Sequence, residues 1–365
     1  MEINKLFDEK SVERFEQMIS TGEFDLSYCS VHGATVLHYA ACIGSIDAFE
    51  KLLQLNVDIN ARNADGNSPL LCALFTSANK EFLQWLVDHG ADVNAKYKPG
   101  DWTLMHLAAQ SNDQELIQWL INNGADINAK DENGVNAVNY AIKFASFDLV
   151  KWMFEHGADI TALDNRGNTT LFFAANSENL DMLQWLIEHG VDVNAKRVDG
   201  NTLLDLVVKI GNIKFAQWLI EHGADFTAKP EIGDYVLHVA AYENNWSLVK
   251  YLIEHGANPN SKDDSGIVVM IYAIREGNLE LVQWLVEHGA DINIKAVNGF
   301  TPLHVAVFTN HVEIVQWLVE HGADMNVKGN NGATPLDIAT EINSLELIMW
   351  LLDHGAEGNS AFRIQ

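Results

Sequence analysis

The chain has 365 residues, 48% of them hydrophobic, and a formal net charge of −27 from 50 acidic against 23 basic side chains. That balance excludes generic binding to nucleic acid or to anionic membrane, which needs basic surface to neutralise phosphate, and no apolar run is long enough to span a bilayer. Cys29, Cys42 and Cys72 form no disulfide or metal framework and residues 1–30 lack the basic start and apolar core of a secretory signal, so a reducing, cytoplasmic setting is expected.

Taken in order, residues 1–32 contain one amphipathic stretch, with Phe15, Met18 and Ile19 at helical spacing. It predicts a helix ending near Thr21 and Gly22, which would act as an N-terminal cap. From Gly33 onward the chain repeats itself. Glycines recur at Gly33, Gly66, Gly100, Gly134, Gly167, Gly200, Gly233, Gly266, Gly299 and Gly332, every 33 residues apart from two steps of 34. Self-similarity at such a period marks a stack of supersecondary units. One extra residue falls near Thr76 to Lys80 and the other at Asp101 and Trp102. Both lie outside the predicted helices, so the stacking register should survive them. The array runs over residues 33–356, ten units in all, and 357–365 are a short C-terminal tail.

The best-formed copy, residues 299–328, predicts each unit. Thr301 is a good N-cap, and Pro302 suits the first helical position, where its missing N–H costs nothing. A helix should run from Pro302 to about Phe308 and break at Thr309 and Asn310. A second should start near His311, bury Ile314, Val315, Leu318 and Val319, and end at Gly322 as the left-handed terminal residue. Both helices are too short to persist alone in water. The eighth unit departs most, with Val268, Val269, Met270 and Ile271 replacing T-P-L-H. In the seventh, Tyr235 and Val236 replace Thr-Pro, so helix starts are open in both.

With its many copies of G-x-T-P-L-H and H-G-A-D-[IV]-N-A-K, the chain resembles the ankyrin-repeat family over about residues 33–356. The resemblance implies an all-α repeat solenoid of β-turn fingers and antiparallel helix pairs, curved, with a concave groove. It also implies that the histidines of T-P-L-H (His38, His106, His238, His304) are buried residues tying fingers together.

Residues that could carry chemistry are accounted for by the repeat. His89, His156, His189, His222, His255, His288, His321 and His354 recur at the end of the second helix. Successive rungs would stand about 10 Å apart, too far to share one metal ion, whereas a cation in the last helical turn is favourable. Trp85, Trp119, Trp152, Trp185, Trp218, Trp284, Trp317 and Trp350 also share one position. They should pack between neighbouring second helices, an exposed aromatic rail being the alternative. A basic row (Arg62, Lys96, Lys130, Lys196, Lys229, Lys262, Lys295, Lys328) is expected to pair with an Asp row (Asp58, Asp92, Asp126, Asp159, Asp192, Asp225, Asp291, Asp324), unless it steers an acidic partner toward the groove. No nucleophile elbow, P-loop, H-E-x-x-H or paired C-x-x-C occurs. No catalytic residue, metal or cofactor is expected, and the chain reads as a non-enzymatic monomer.

Function must then lie in positions the repeat does not dictate. In ankyrin arrays the finger tips and the ends of the first helices line the groove. Mapped here, they gather apolar and aromatic residues in repeats seven to nine: Ile232, Tyr235, Tyr242, Trp246, Ile267, Arg275, Val297, Phe300 and Phe308. Phe75, Tyr97 and Trp102 form a smaller group on repeats two and three. Aromatics with arginine are typical hot spots for protein partners. The expected function is a protein–protein interaction scaffold or adaptor. The alternative is an inhibitor or regulator of one enzyme or signalling protein, including an effector translocated by a bacterium or virus into host cytosol, since near-identical copies of Q-W-L-[IV]-E-H-G-A-D are similar to arrays common there.

Overall fold

The computed structural model describes residues 9–76, 80–175, 179–227 and 236–359, and two predicted site residues, Ile232 and Tyr235, lie outside them. The chain divides into two compact units, Met1–Asp192 and Val193–Gln365. Among the described residues there are twenty-one helices and no extended strand.

The first unit opens on Glu9–Thr21, which buries Ser11, Phe15 and Met18. Phe15 sets its ring 5.4 Å from Tyr28 and 5.7 Å from Tyr39, so this helix covers the apolar face of the first pair. Five helix pairs complete the first unit and five make up the second. The best-formed copy folds as its residues dictate, Pro302–Phe308 then Val312–Glu320, with Gly322 at φ +95°. The eighth unit keeps its helix start. Val269–Arg275 begins after Val268 without a side-chain cap, and burial of Val268, Val269, Met270 and Ile271 holds the turn instead.

Two hydrogen-bonded devices join the repeats. His38, His106 and His304 accept the backbone N–H of Thr35, Thr103 and Thr301 on Nδ1, each at 3.1 Å. The proton therefore sits on Nε2, which donates to the carbonyl of Asn67, Val135 or Ala333 in the next repeat, at 3.0, 3.1 and 3.2 Å. One ring thus caps its own helix and ties down the following finger. The second device is the Asn of H-G-A-D-x-N. Asn60, Asn94 and Asn128 each donate through Nδ2 to a glycine carbonyl one repeat on (Gly90, Gly124, Gly157). Each also accepts the N–H of Asp92, Asp126 or Asp159 on Oδ1. Asn194, Asn260 and Asn293 repeat the clamp in the second unit.

The clamp position holds threonine at Thr161 and Thr227, whose hydroxyls turn back to Asp159 and Asp225. Thr161→Asn and Thr227→Asn should each add two inter-repeat bonds and about 1 kcal/mol of stability. Urea midpoints check this; a midpoint that stays put or falls in both variants refutes the clamp as a source of stability.

Pro69–Phe75 and Leu104–Gln110 pack less closely than other neighbouring first helices of this unit, yet Asn60 still clamps Gly90 and Asp92 and Asn94 clamps Gly124 and Asp126, so the register holds. One expectation needs correction: among the described residues the basic row forms no ion pair with the Asp row. Arg62, Lys130 and Lys262 donate to the carbonyls of Lys96, Leu163 and Lys295 in the next finger. Asp58, Asp92, Asp126, Asp291 and Asp324 accept instead from the backbone N–H two residues on, closing their own turns. The ion pairs among the described residues are Lys51–Asp47, Lys80–Glu115, Lys96–Asp101 and Arg197–Asp199, none of which joins the two rows. The last helix, Leu345–Asp353, leaves Leu345, Met349 and Leu352 exposed and so lacks the polar outer face typical of a terminal repeat.

Candidate partner-binding site

The side chains that the repeat does not use converge in the second unit. A groove of about 770 Å³ lies between the fingers and first helices of repeats eight and nine. Its lining includes Ile267, Arg275, Val297, Phe300 and Phe308, five of the residues picked from the sequence. Tyr242 lines an adjoining cavity of about 440 Å³, which shares Ser265, Ile267 and Arg275 with the groove. The walls are open: Tyr242 is 70% exposed, Val297 73% and Phe308 64%.

Each wall is placed by a local cause. Tyr242, Arg275 and Phe308 end the helices Val236–Tyr242, Val269–Arg275 and Pro302–Phe308, so they stand in one row on successive repeats. Phe300 follows the finger glycine and stacks on His304, with centroids 4.9 Å apart and planes 6° from parallel. The next finger leaves room for that ring by carrying Gly329, where a Cβ would meet Phe300 Cε1 at 2.5 Å. Asp263 anchors the finger of repeat eight. Its Oδ1 accepts the N–H of Ser265 and Ile267, and its Oδ2 accepts the hydroxyl of Tyr272.

Sequence reasoning missed part of the lining, notably Ile271, Ala296, Val305 and Thr309. Ile271 was legible in principle. It occupies the T-P-L-H histidine position, so the departure that suggested a loosened repeat supplies an apolar floor to the groove. Trp246 lines neither cavity; it is half-buried at the start of Trp246–Glu254.

The smaller group is not brought together. Phe75 lines a cavity of about 450 Å³ with Leu74, Leu83, Leu107 and Trp119, between the second and third repeats. Trp102 packs on Tyr140 at 4.5 Å and pairs its backbone with Tyr97. Tyr97 is only 4% exposed and offers no surface to a partner. Burial raises its hydroxyl well above the usual phenol range.

The histidine and tryptophan ladders form one structural device. In seven repeats the tryptophan stacks on the histidine four residues on, with centroids 3.8–4.2 Å apart, and Tyr251 does the same with His255. Each histidine Nδ1 donates to the carbonyl of its ring partner at 2.7–2.8 Å, capping the helix. Asn123 takes this place beneath Trp119. The indoles also reach the preceding second helix, as Trp119 Nε1 donates to Gln84 Oε1 at 2.9 Å.

The family model for ankyrin repeats, in blocks of three copies, matches residues 8–97, 78–164, 141–230, 208–296, 237–329 and 294–361, and the chain belongs to the ankyrin-repeat family. It is an all-α repeat solenoid of a family whose repeats mediate protein–protein interaction. No curated protein matches it. Among the described residues no helix is long and apolar enough to cross a membrane.

Proposed function

We propose that the protein is a non-enzymatic interaction scaffold or adaptor that holds a protein partner on the finger and first-helix face of repeats seven to nine. The observation that carries this reading is the groove between repeats eight and nine, where five independently chosen residues share one apolar lining. Exposed aromatic and aliphatic walls beside an arginine are what a partner's buried anchors require.

The double variant Tyr242→Ala, Phe308→Ala tests it. Both side chains are largely exposed, so their loss should shift the thermal midpoint by no more than about 2 °C. Partner capture should weaken at least tenfold, and cross-links from a photoreactive residue at position 308 should reach the captured protein. Undiminished capture, or a collapsed melt, would sink the assignment.

A further inference from the structure

We infer that the groove takes an extended acidic segment: one carboxylate flanked, three residues away on each side, by an apolar side chain. This rests on the partner-binding reading and adds the chemistry of the partner.

The spacing comes from the row of Tyr242, Arg275 and Phe308, an aromatic, a cation and an aromatic at one position of three successive first helices. Packed helices stand about 8–10 Å apart. A chain extended as polyproline II rises about 3.1 Å per residue with three residues per turn, so side chains three apart share one face and meet successive members of the row.

The acid comes from charge. In a chain of net charge −27, Arg275 is exposed and forms no ion pair among the described residues. It is the only ionic side chain in the groove lining. Of the two acids that line the adjoining cavity with it, Asp263 has both oxygens engaged by Ser265, Ile267 and Tyr272, and Glu276 lies outside the groove lining. Beside apolar walls that exclude water, a guanidinium favours a carboxylate in bidentate geometry.

The extended form comes from the backbone. At three other fingers, though not at Val198, the residue two before the finger glycine donates its N–H to the preceding finger: Ala64 to His32 at 2.9 Å, Asn165 to Asn133 at 2.8 Å and Asn330 to Asn298 at 2.9 Å. The equivalent bond, from Val297 N–H to the Ser265 carbonyl, is not formed among the described residues. Both residues line the groove. A donor and an acceptor left there suit an extended backbone, which needs partners, and not a helix, which satisfies its own.

Selection of phage-displayed random sixteen-residue peptides on the full-length protein tests the inference. Enriched peptides should share apolar-x-x-Asp/Glu-x-x-apolar. A synthetic peptide from that pool should lose at least tenfold in affinity when its carboxylate becomes the amide. It should lose as much against Arg275→Glu, and a lysine in place of its acid should recover binding to that variant. Failure to enrich the pattern, anchors spaced by seven as on a helix, or equal binding to Arg275→Glu overturns it. The double variant Tyr242→Ala, Phe308→Ala separates the two readings. If it binds the peptide normally, the groove itself is misassigned; if it loses the peptide while Arg275→Glu retains it, only the acidic chemistry is wrong.

Discussion

Replacing His304 by alanine is expected to destabilise the second unit by about 3–5 kcal/mol. The ring is fully buried and serves two repeats at once. Its removal orphans the Thr301 N–H that Nδ1 accepts and takes one of two donors from the Ala333 carbonyl, which keeps the N–H of Gly329. Thr301 and Ala333 are themselves buried, so water cannot replace either bond. The orphaned buried N–H costs about 1–3 kcal/mol, the bond lost at the carbonyl about 1 kcal/mol more, and the vacated space beneath Phe300 adds to that. His304→Gln should cost less than half as much, because glutamine at this third helical position can still accept the cap N–H. Urea unfolding followed by tryptophan fluorescence, with amide exchange read at residues 301–308, measures both. An alanine variant within 1 kcal/mol of the parent, or a glutamine variant no better than alanine, would show that the ring is a spacer and not a tie.

The repeat made much of this legible. Thr301, Pro302, His304 and Gly322 occupy helix-end positions whose local chemistry is known, and their recurrence across units separates them from Phe300 and Phe308, at positions that vary from copy to copy. What stayed hidden depends on partners about 30 residues away. Asn94 looks like one letter of a motif; only the fold shows it clamping Gly124 and Asp126. Alternating Asp and Lys suggested Coulomb pairs, yet Asp92 is committed to the N–H of Asn94 and Lys130 reaches a carbonyl. A backbone amide two residues away is a cheaper partner to order than a long flexible ammonium. Tyr97 was misplaced because its lengthened finger pairs Tyr97 with Trp102 and turns its ring inward. Ile271 was undervalued for the opposite reason: it was judged against the capping role of histidine, and the apolar surface it gives the groove was overlooked.

The same histidines predict how the fold responds to acid. His38, His106 and His304 are buried, and desolvation holds each imidazole below its ordinary pKa. Asp131 near His106 and Asp324 near His304 oppose that shift, while Lys96 and Lys295 reinforce it. The hydrogen bonds agree, since an Nδ1 that accepts a backbone N–H cannot also carry a proton. With folded pKa values depressed, the unfolded chain takes up protons first. Stability from these residues is complete above the unfolded value of about 6.5 and is lost as pH falls from there toward the folded values. Each contributes a slope of at most about 1.4 kcal/mol per pH unit in that window. Thermal midpoints should therefore drop steeply between pH 6.5 and 5.5. The triple variant His38→Gln, His106→Gln, His304→Gln should start lower at neutral pH and respond much less to acid. An equal slope in the variant would assign the acid response to other groups and show that protonating these rings is not what weakens the stack.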